Sequence, residues 1–251
     1  VEKLSTSERS PLSPTRWPPD AFAWPCSLAA LALVLLAFGA GLVLASLTAV
    51  RMGVTQRDVQ NEHLSWGILI GQLASYVVIV PTLLVVLPWV AKRSLRDLGL
   101  RVPSGRALGI GVLGAVAMYV VTLALANVQL SITHQKPQEA ATALFSSSHD
   151  PLLTFAFALL AVAIAPFVEE LTFRGFLFNA LLRYAPVWVA ATISGIVFGL
   201  SHGSLTAFVP LAGSGIVLAY VYYLTGSLPA SMLTHALFNA INVALIALGK
   251  A

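Results

Sequence analysis

Long stretches of this chain carry no charge at all. The run "PLLTFAFALLAVAIAPF", from Pro151 to Phe167, is one of several. A helix needs about 20 apolar residues to cross the hydrocarbon core of a bilayer. Within that core a backbone can satisfy its own N–H and C=O groups only as a helix or a closed barrel. The apolar runs therefore predict helices at Ala21–Val50, Leu64–Ala91, Ala107–Leu130, a run from Pro151, Pro186–His202, Leu205–Leu224 and Leu228–Gly249. The composition agrees: 58% of the 251 residues are hydrophobic and 10% are charged, against about 25% charged in a soluble domain. The expected fold is all-α, a polytopic transmembrane helical bundle of about seven to eight spans, eight if the run from Pro151 breaks near its glutamates.

A chain of this length makes one bundle. Residues 1–20, rich in Ser and Pro, read as a flexible cytoplasmic tail. Residues 21–130 read as three generic transmembrane helices, and residues 151–249 as the part that carries chemistry. The first apolar run is too long for a signal-peptide core and is expected to stay in the membrane. The net charge of +4 does not point to nucleic acid, because the basic residues cluster between apolar spans. Lys3, Arg9 and Arg16 lie in the tail, and "KRSLRDLGLRVPSGR" holds five more. Few lie in the intervening loops, so the positive-inside rule places the N-terminus and residues 92–106 in the cytoplasm of a cell-membrane protein. Trp24, Trp66, Trp89 and Trp188 fall near span ends, as an interfacial belt requires. The single cysteine, Cys26, excludes an internal disulfide and reads as a small apolar residue in a span.

Two motifs are discounted. "GIGVLG" at Gly109–Gly114 matches a dinucleotide-binding fingerprint, but it lies in an apolar span without the required strand or acidic residue. It reads as close helix packing through small residues. "GSG" at Gly213–Gly215 reads as a packing or kink site. No H-E-x-x-H or G-x-S-x-G occurs, and aspartate is absent after Asp150.

Three short patterns remain: "EELTFR", "FGLSH" and "HALFN". A charge at membrane depth costs about 2.5–3.5 kcal/mol, so ionisable groups there are functional candidates. Glu170 and Arg174 are i,i+4 with the acid first, the favourable order for an ion pair. Glu169, about 100° further round the helix, can face a cavity. Phe198 and His202 are i,i+4, as are His235 and Asn239. A helix running from Glu169 to a turn at Ala185 would bring Glu170 and His202 within about one helical turn in height. His235 meets that level only if the Leu205–Leu224 helix tilts, shortens or breaks. The chemistry stays open at this point. A carboxylate and an imidazole can activate water, with a second imidazole and an amide as oxyanion donors. Alternatively, Glu169, His202 and His235 could be the ligand set of zinc or another divalent metal. Both schemes give a hydrolase.

The same three patterns resemble the EExxxR, FxxxH and HxxxN motifs of the CAAX protease and bacteriocin-processing family of intramembrane endopeptidases, which includes the type II CAAX prenyl endopeptidases and the abortive-infection proteins. The likeness covers roughly residues 151–245. It implies that Glu169 and His202 activate water, that His235 and Asn239 stabilise the oxyanion, and that Glu170 and Arg174 support them. The implied partners are the lipid bilayer and a peptide or protein substrate at the membrane. A non-proteolytic scaffold or bacteriocin-immunity protein on the same bundle is the alternative, and a transporter is disfavoured because the first three spans lack a matching polar set.

Overall fold

A computed structural model describes residues 26–60, 63–92, 94–135, 137, 145, 147 and 150–249. The expectations for the tail and for Trp24 lie outside them. Every regular element described is helical. Six helices are long and apolar enough to cross a membrane: α1 (Ala29–Arg51), α2 (Trp66–Val90), α3 (Gly105–Thr133), α4 (Pro151–Leu182), α6 (Phe208–Thr225) and α7 (Leu228–Ala247). Between α4 and α6 lies α5 (Val187–Ser201), apolar but shorter. The protein is thus a multi-pass membrane bundle, with seven apolar helices among the described residues.

Local chemistry starts these helices where the apolar runs begin. Ser65 accepts from the Ile68 amide ahead of α2, Ser104 from Ala107 ahead of α3, and Ser227 from Ala230 ahead of α7. Asp150 Oδ1 accepts from the Leu152 and Leu153 amides at 2.9 and 3.3 Å. Each such cap satisfies amides that a helix N-terminus leaves without internal partners. Trp66, Trp89 and Trp188 stand at helix ends, and the last two are largely exposed.

The run from Pro151 does not break at its glutamates. It continues through Gly175 to Leu182 and turns at Tyr184–Ala185, where both amides donate to the Leu181 carbonyl. Two segments of α4, Leu160–Ile164 and Leu171–Phe178, are π-helical, and a third π segment, Thr82–Val86, follows Pro81 in α2. The glutamates occupy the α-helical turn between the two segments of α4. The α6 helix begins at Phe208 rather than Leu205, and it stays helical through Gly213–Gly215. This helix does not break, and His235 of α7 nevertheless lies 3.0 Å from the Glu170 carboxylate of α4.

Small residues bring the helices together, as both glycine motifs led us to expect. A Cβ on Gly195 of α5 would lie 2.6 Å from the Ala212 carbonyl oxygen, and one on Gly215 would lie 2.7 Å from Gly195 Cα. On α3, a Cβ on Gly111 would lie 2.8 Å from the Ala230 carbonyl oxygen, and one on Gly114 would meet Thr234 Oγ1 at 2.8 Å. The loop after α2 is bound into the bundle. Leu98 is buried, Gly99 has φ +81°, the Leu228 amide donates to the Gly99 carbonyl at 2.9 Å, and the Tyr222 hydroxyl donates to the Leu98 carbonyl at 3.1 Å.

Candidate active site

The site is built from three helices: the mid-section of α4, the end of α5 and the first half of α7. Glu170 is its fixed centre, with no exposed surface. Oε1 accepts from Arg174 Nη1 at 2.9 Å and lies 3.0 Å from His235 Nδ1, while Oε2 accepts from Ser231 Oγ at 2.6 Å. Arg174, equally buried, donates its Nη2 to the Gly215 carbonyl at 2.9 Å. Two charges removed from water persist only when paired and hydrogen-bonded in this way. The expected i,i+4 ion pair is present, and its surroundings extend to α6 and α7.

Glu169 differs from its neighbour in every respect. Its side chain is 26% exposed, and its Oε2 stands 3.8 Å from His235 Nε2. That separation exceeds a hydrogen bond. One imidazole therefore spans the two acids, with Nδ1 held by the buried Glu170 and Nε2 directed at the accessible Glu169. Glu170 is acceptor-only as a carboxylate, so the Nδ1 proton belongs to His235. This is the arrangement in which a carboxylate orients a histidine for work at its other nitrogen.

His202 lies at the C-terminal end of α5, half-buried, with Nδ1 2.8 Å from the Phe198 carbonyl. A carbonyl can only accept, so Nδ1 again carries the proton and Nε2 is the basic nitrogen of the neutral ring. The Phe198 ring, buried, connects these groups. Its centroid lies 4.7 Å from that of His202, 5.7 Å from that of His235, and 4.7 Å from the Arg174 guanidinium carbon. The aromatic–imidazole neighbour that the spacing of "FGLSH" suggested is present, and it touches all three basic side chains.

Asn239 has a partner that its position in the sequence does not reveal. Its Nδ2 donates to the Ala161 carbonyl at 2.8 Å. At the end of the π segment Leu160–Ile164 the Ala165 amide donates to the Leu160 carbonyl, five residues back. The donor due for Ala161 would be residue 166, which is proline and has no N–H. Asn239 supplies the missing hydrogen from the facing helix. One hydrogen of its amide is committed there.

The structure brings Glu169, Glu170, Arg174, His235 and Phe198 with His202 into one neighbourhood, and it adds Ser231. The metal reading fares differently. Among the described residues, no three His, Cys, Asp or Glu side chains are grouped so as to hold a metal ion. Glu169 and His235 face each other, but among the described residues His202 is not grouped with them as a third ligand. The donor geometry does not fit the zinc set Glu169, His202 and His235, and no step below is routed through a metal.

Comparison with known proteins bears on this part of the chain. Residues 151–241 match the family model of the Type II CAAX prenyl endopeptidases, Rce1-like. The resemblance carried by the three motifs is thereby borne out over the segment that holds them. A protein of Bacillus subtilis (strain 168), named provisionally as the membrane peptidase YdiL, is 22% identical over 171 residues, which is 66% of this chain and 66% of that protein's own length. The chain therefore spans somewhat less than two thirds of the relative it matches. No solved structure matches it.

Proposed function

We propose that this protein is an intramembrane endopeptidase that hydrolyses peptide bonds of membrane-associated substrates with a water activated by Glu169. The observation that carries this reading is the division of labour between adjacent acids. Glu170 is locked by Arg174, Ser231 and His235, while Glu169 faces accessible space opposite a histidine already oriented by its neighbour. The family match over residues 151–241 and the peptidase name of the Bacillus subtilis relative support the same reaction class.

In this scheme Glu169 takes a proton from water as the oxygen adds to the scissile carbonyl carbon. In the same scheme the second amide hydrogen of Asn239 donates to the oxyanion that forms. His235 contributes to the same oxyanion only with a proton on Nε2 as well as Nδ1, that is, as an imidazolium. His202, with Nε2 as its basic nitrogen, shares the activation of water. Collapse of the tetrahedral intermediate breaks the C–N bond, and the proton held by Glu169 passes to the leaving amine. The substrate class that accompanies the family match is a membrane-tethered peptide processed in the CAAX manner, taken from the bilayer of the cell membrane.

The test is proteomics of membrane peptides from cells carrying the wild type against Glu169→Gln. Peptides whose cleaved forms vanish with Glu169→Gln are expected. Identical peptide profiles, with both proteins present at equal abundance, would defeat the proposal and leave a scaffold that does not cleave.

A further inference from the structure

His202 ends α5, and the turn that follows it lies where water is scarce. Trp188, largely exposed at the other end of α5, marks the membrane interface there. The 15 residues of α5 rise roughly 22 Å and the 18 of α6 roughly 27 Å. Both fall short of a hydrocarbon core about 30 Å thick, so the turn joining them, residues 202–207, reaches into the apolar layer. Non-helical backbone at that depth must find its hydrogen-bond partners in protein.

Ser204 Oγ accepts from the Ala207 amide at 3.2 Å and lies 3.1 Å from Thr206 Oγ1. The Ala207 carbonyl accepts from the Leu211 amide at 3.0 Å as α6 begins. The Thr206 carbonyl cannot be served in that way, because the residue four ahead is Pro210, which has no N–H. Gln129 of α3 donates its Nε2 to it instead. Asn239 serves the Ala161 carbonyl by the same device, a carboxamide from a neighbouring helix in place of an N–H that proline lacks. Gln129 is buried, and among the described residues nothing donates to its Oε1. An acceptor left in that state is destabilising. Methionine would fill a similar volume without it, so the Nε2 donor is the part that packing does not explain. His202 depends on this turn. Its own amide meets the Gly199 carbonyl only at 3.4 Å, longer than the usual hydrogen bond, and the chain leaves the helix at Gly203, with φ +69°.

We propose that Gln129 is a positioning residue that acts through His202: by holding the Thr206 carbonyl it fixes the α5–α6 turn and with it the place of the imidazole. The proposal rests on the reading of Glu169 and His202 as the groups that activate water. It assigns to α3, which lies outside the residues matched by the family, a part in the reaction.

Two measurements on the full chain test it. The first uses a fluorogenic membrane-anchored peptide carrying a cleavage sequence found in the proteomic comparison above. Gln129→Met should lower kcat about ten- to a hundredfold with KM unchanged, as expected when a catalytic group is misplaced by about 1 Å. In a His202→Ala background there is no imidazole to misplace, so the same substitution should lower the residual kcat less than about twofold. Unchanged kcat, a loss confined to KM, or an equal loss in both backgrounds would overturn the positioning role. The second needs no activity. Hydrogen–deuterium exchange, read by mass spectrometry, should be about tenfold faster in Gln129→Met over residues 203–207 and unchanged over residues 231–239 of α7. Equal exchange at the turn would remove the hold, and faster exchange throughout the bundle would make Gln129 a residue of general stability. A loosened turn in a protein that cleaves nothing would refute the protease reading while the hold stands.

Discussion

Glu170 accepts from one residue of its own helix and two of α7. The three donors are not equivalent. Removing Arg174 strands a buried carboxylate, so Arg174→Ala should cost about 3–5 kcal/mol and appear as a loss of folded protein in detergent. Ser231→Ala leaves Oε2 without its donor and should cost about 1–3 kcal/mol, read as a lower thermal midpoint. Glu169→Gln touches neither and should leave that midpoint unchanged while removing cleavage. The Glu170–Arg174 pair is legible in sequence because helix geometry alone sets i,i+4 neighbours. Ser231 is not. A serine one turn before His235 in an apolar helix reads as a small packing residue, and its partner is 61 residues away. The same limit applies to Asn239, whose spacing from His235 shows the face it occupies but not the carbonyl it serves.

At the scale of elements, the π segments of α4 are what the sequence conceals. Apolar periodicity marks a helix and cannot tell an α turn from a π turn. Pro166 is visible as a kink site, yet its consequence, a carbonyl without its due donor, exists only once the turn type is known. With the oxyanion role proposed above, Asn239 would have two roles that mutation can separate. Asn239→Ala should lower stability by about 1–3 kcal/mol through the orphaned Ala161 carbonyl and also reduce turnover. In a Pro166→Ala background the main chain regains its N–H, so the stability penalty of Asn239→Ala should shrink. The turnover penalty should remain at about 10²–10³-fold, the usual loss of one oxyanion donor. Matched recovery of stability and turnover in the double variant would assign Asn239 to structure alone.

The molecule as a whole has seven apolar helices among its described residues, and their number was readable because run length and bilayer thickness are tied. Their levels were not readable, since the lengths of apolar runs do not fix how neighbouring helices sit against one another. Their orientation rests on the basic residues, several of them exposed in the loop after α2 and the first turn of α3: Lys92, Arg96, Arg101 and Arg106. With this loop in the cytoplasm, Val102→Cys, at a position 94% exposed, should resist an impermeant thiol reagent in intact cells. Gln135→Cys, exposed beyond the other end of α3, should react, both in the Cys26→Ser background. The reverse pattern would invert the topology.

The latch between the α2–α3 loop and the start of α7 also orders events during synthesis. The Leu98 carbonyl waits for a tyrosine made 124 residues later, and the Gly99 carbonyl waits for the Leu228 amide. A nascent chain with its first six helices inserted still lacks the partners of Gly99 and Glu170, because Leu228, Ser231 and His235 have yet to emerge. Until they do, Glu170 has Arg174 alone. Completion of the last helix is therefore the moment at which the charged centre closes, and a chain truncated after Thr225 should be recognised and degraded as unfinished.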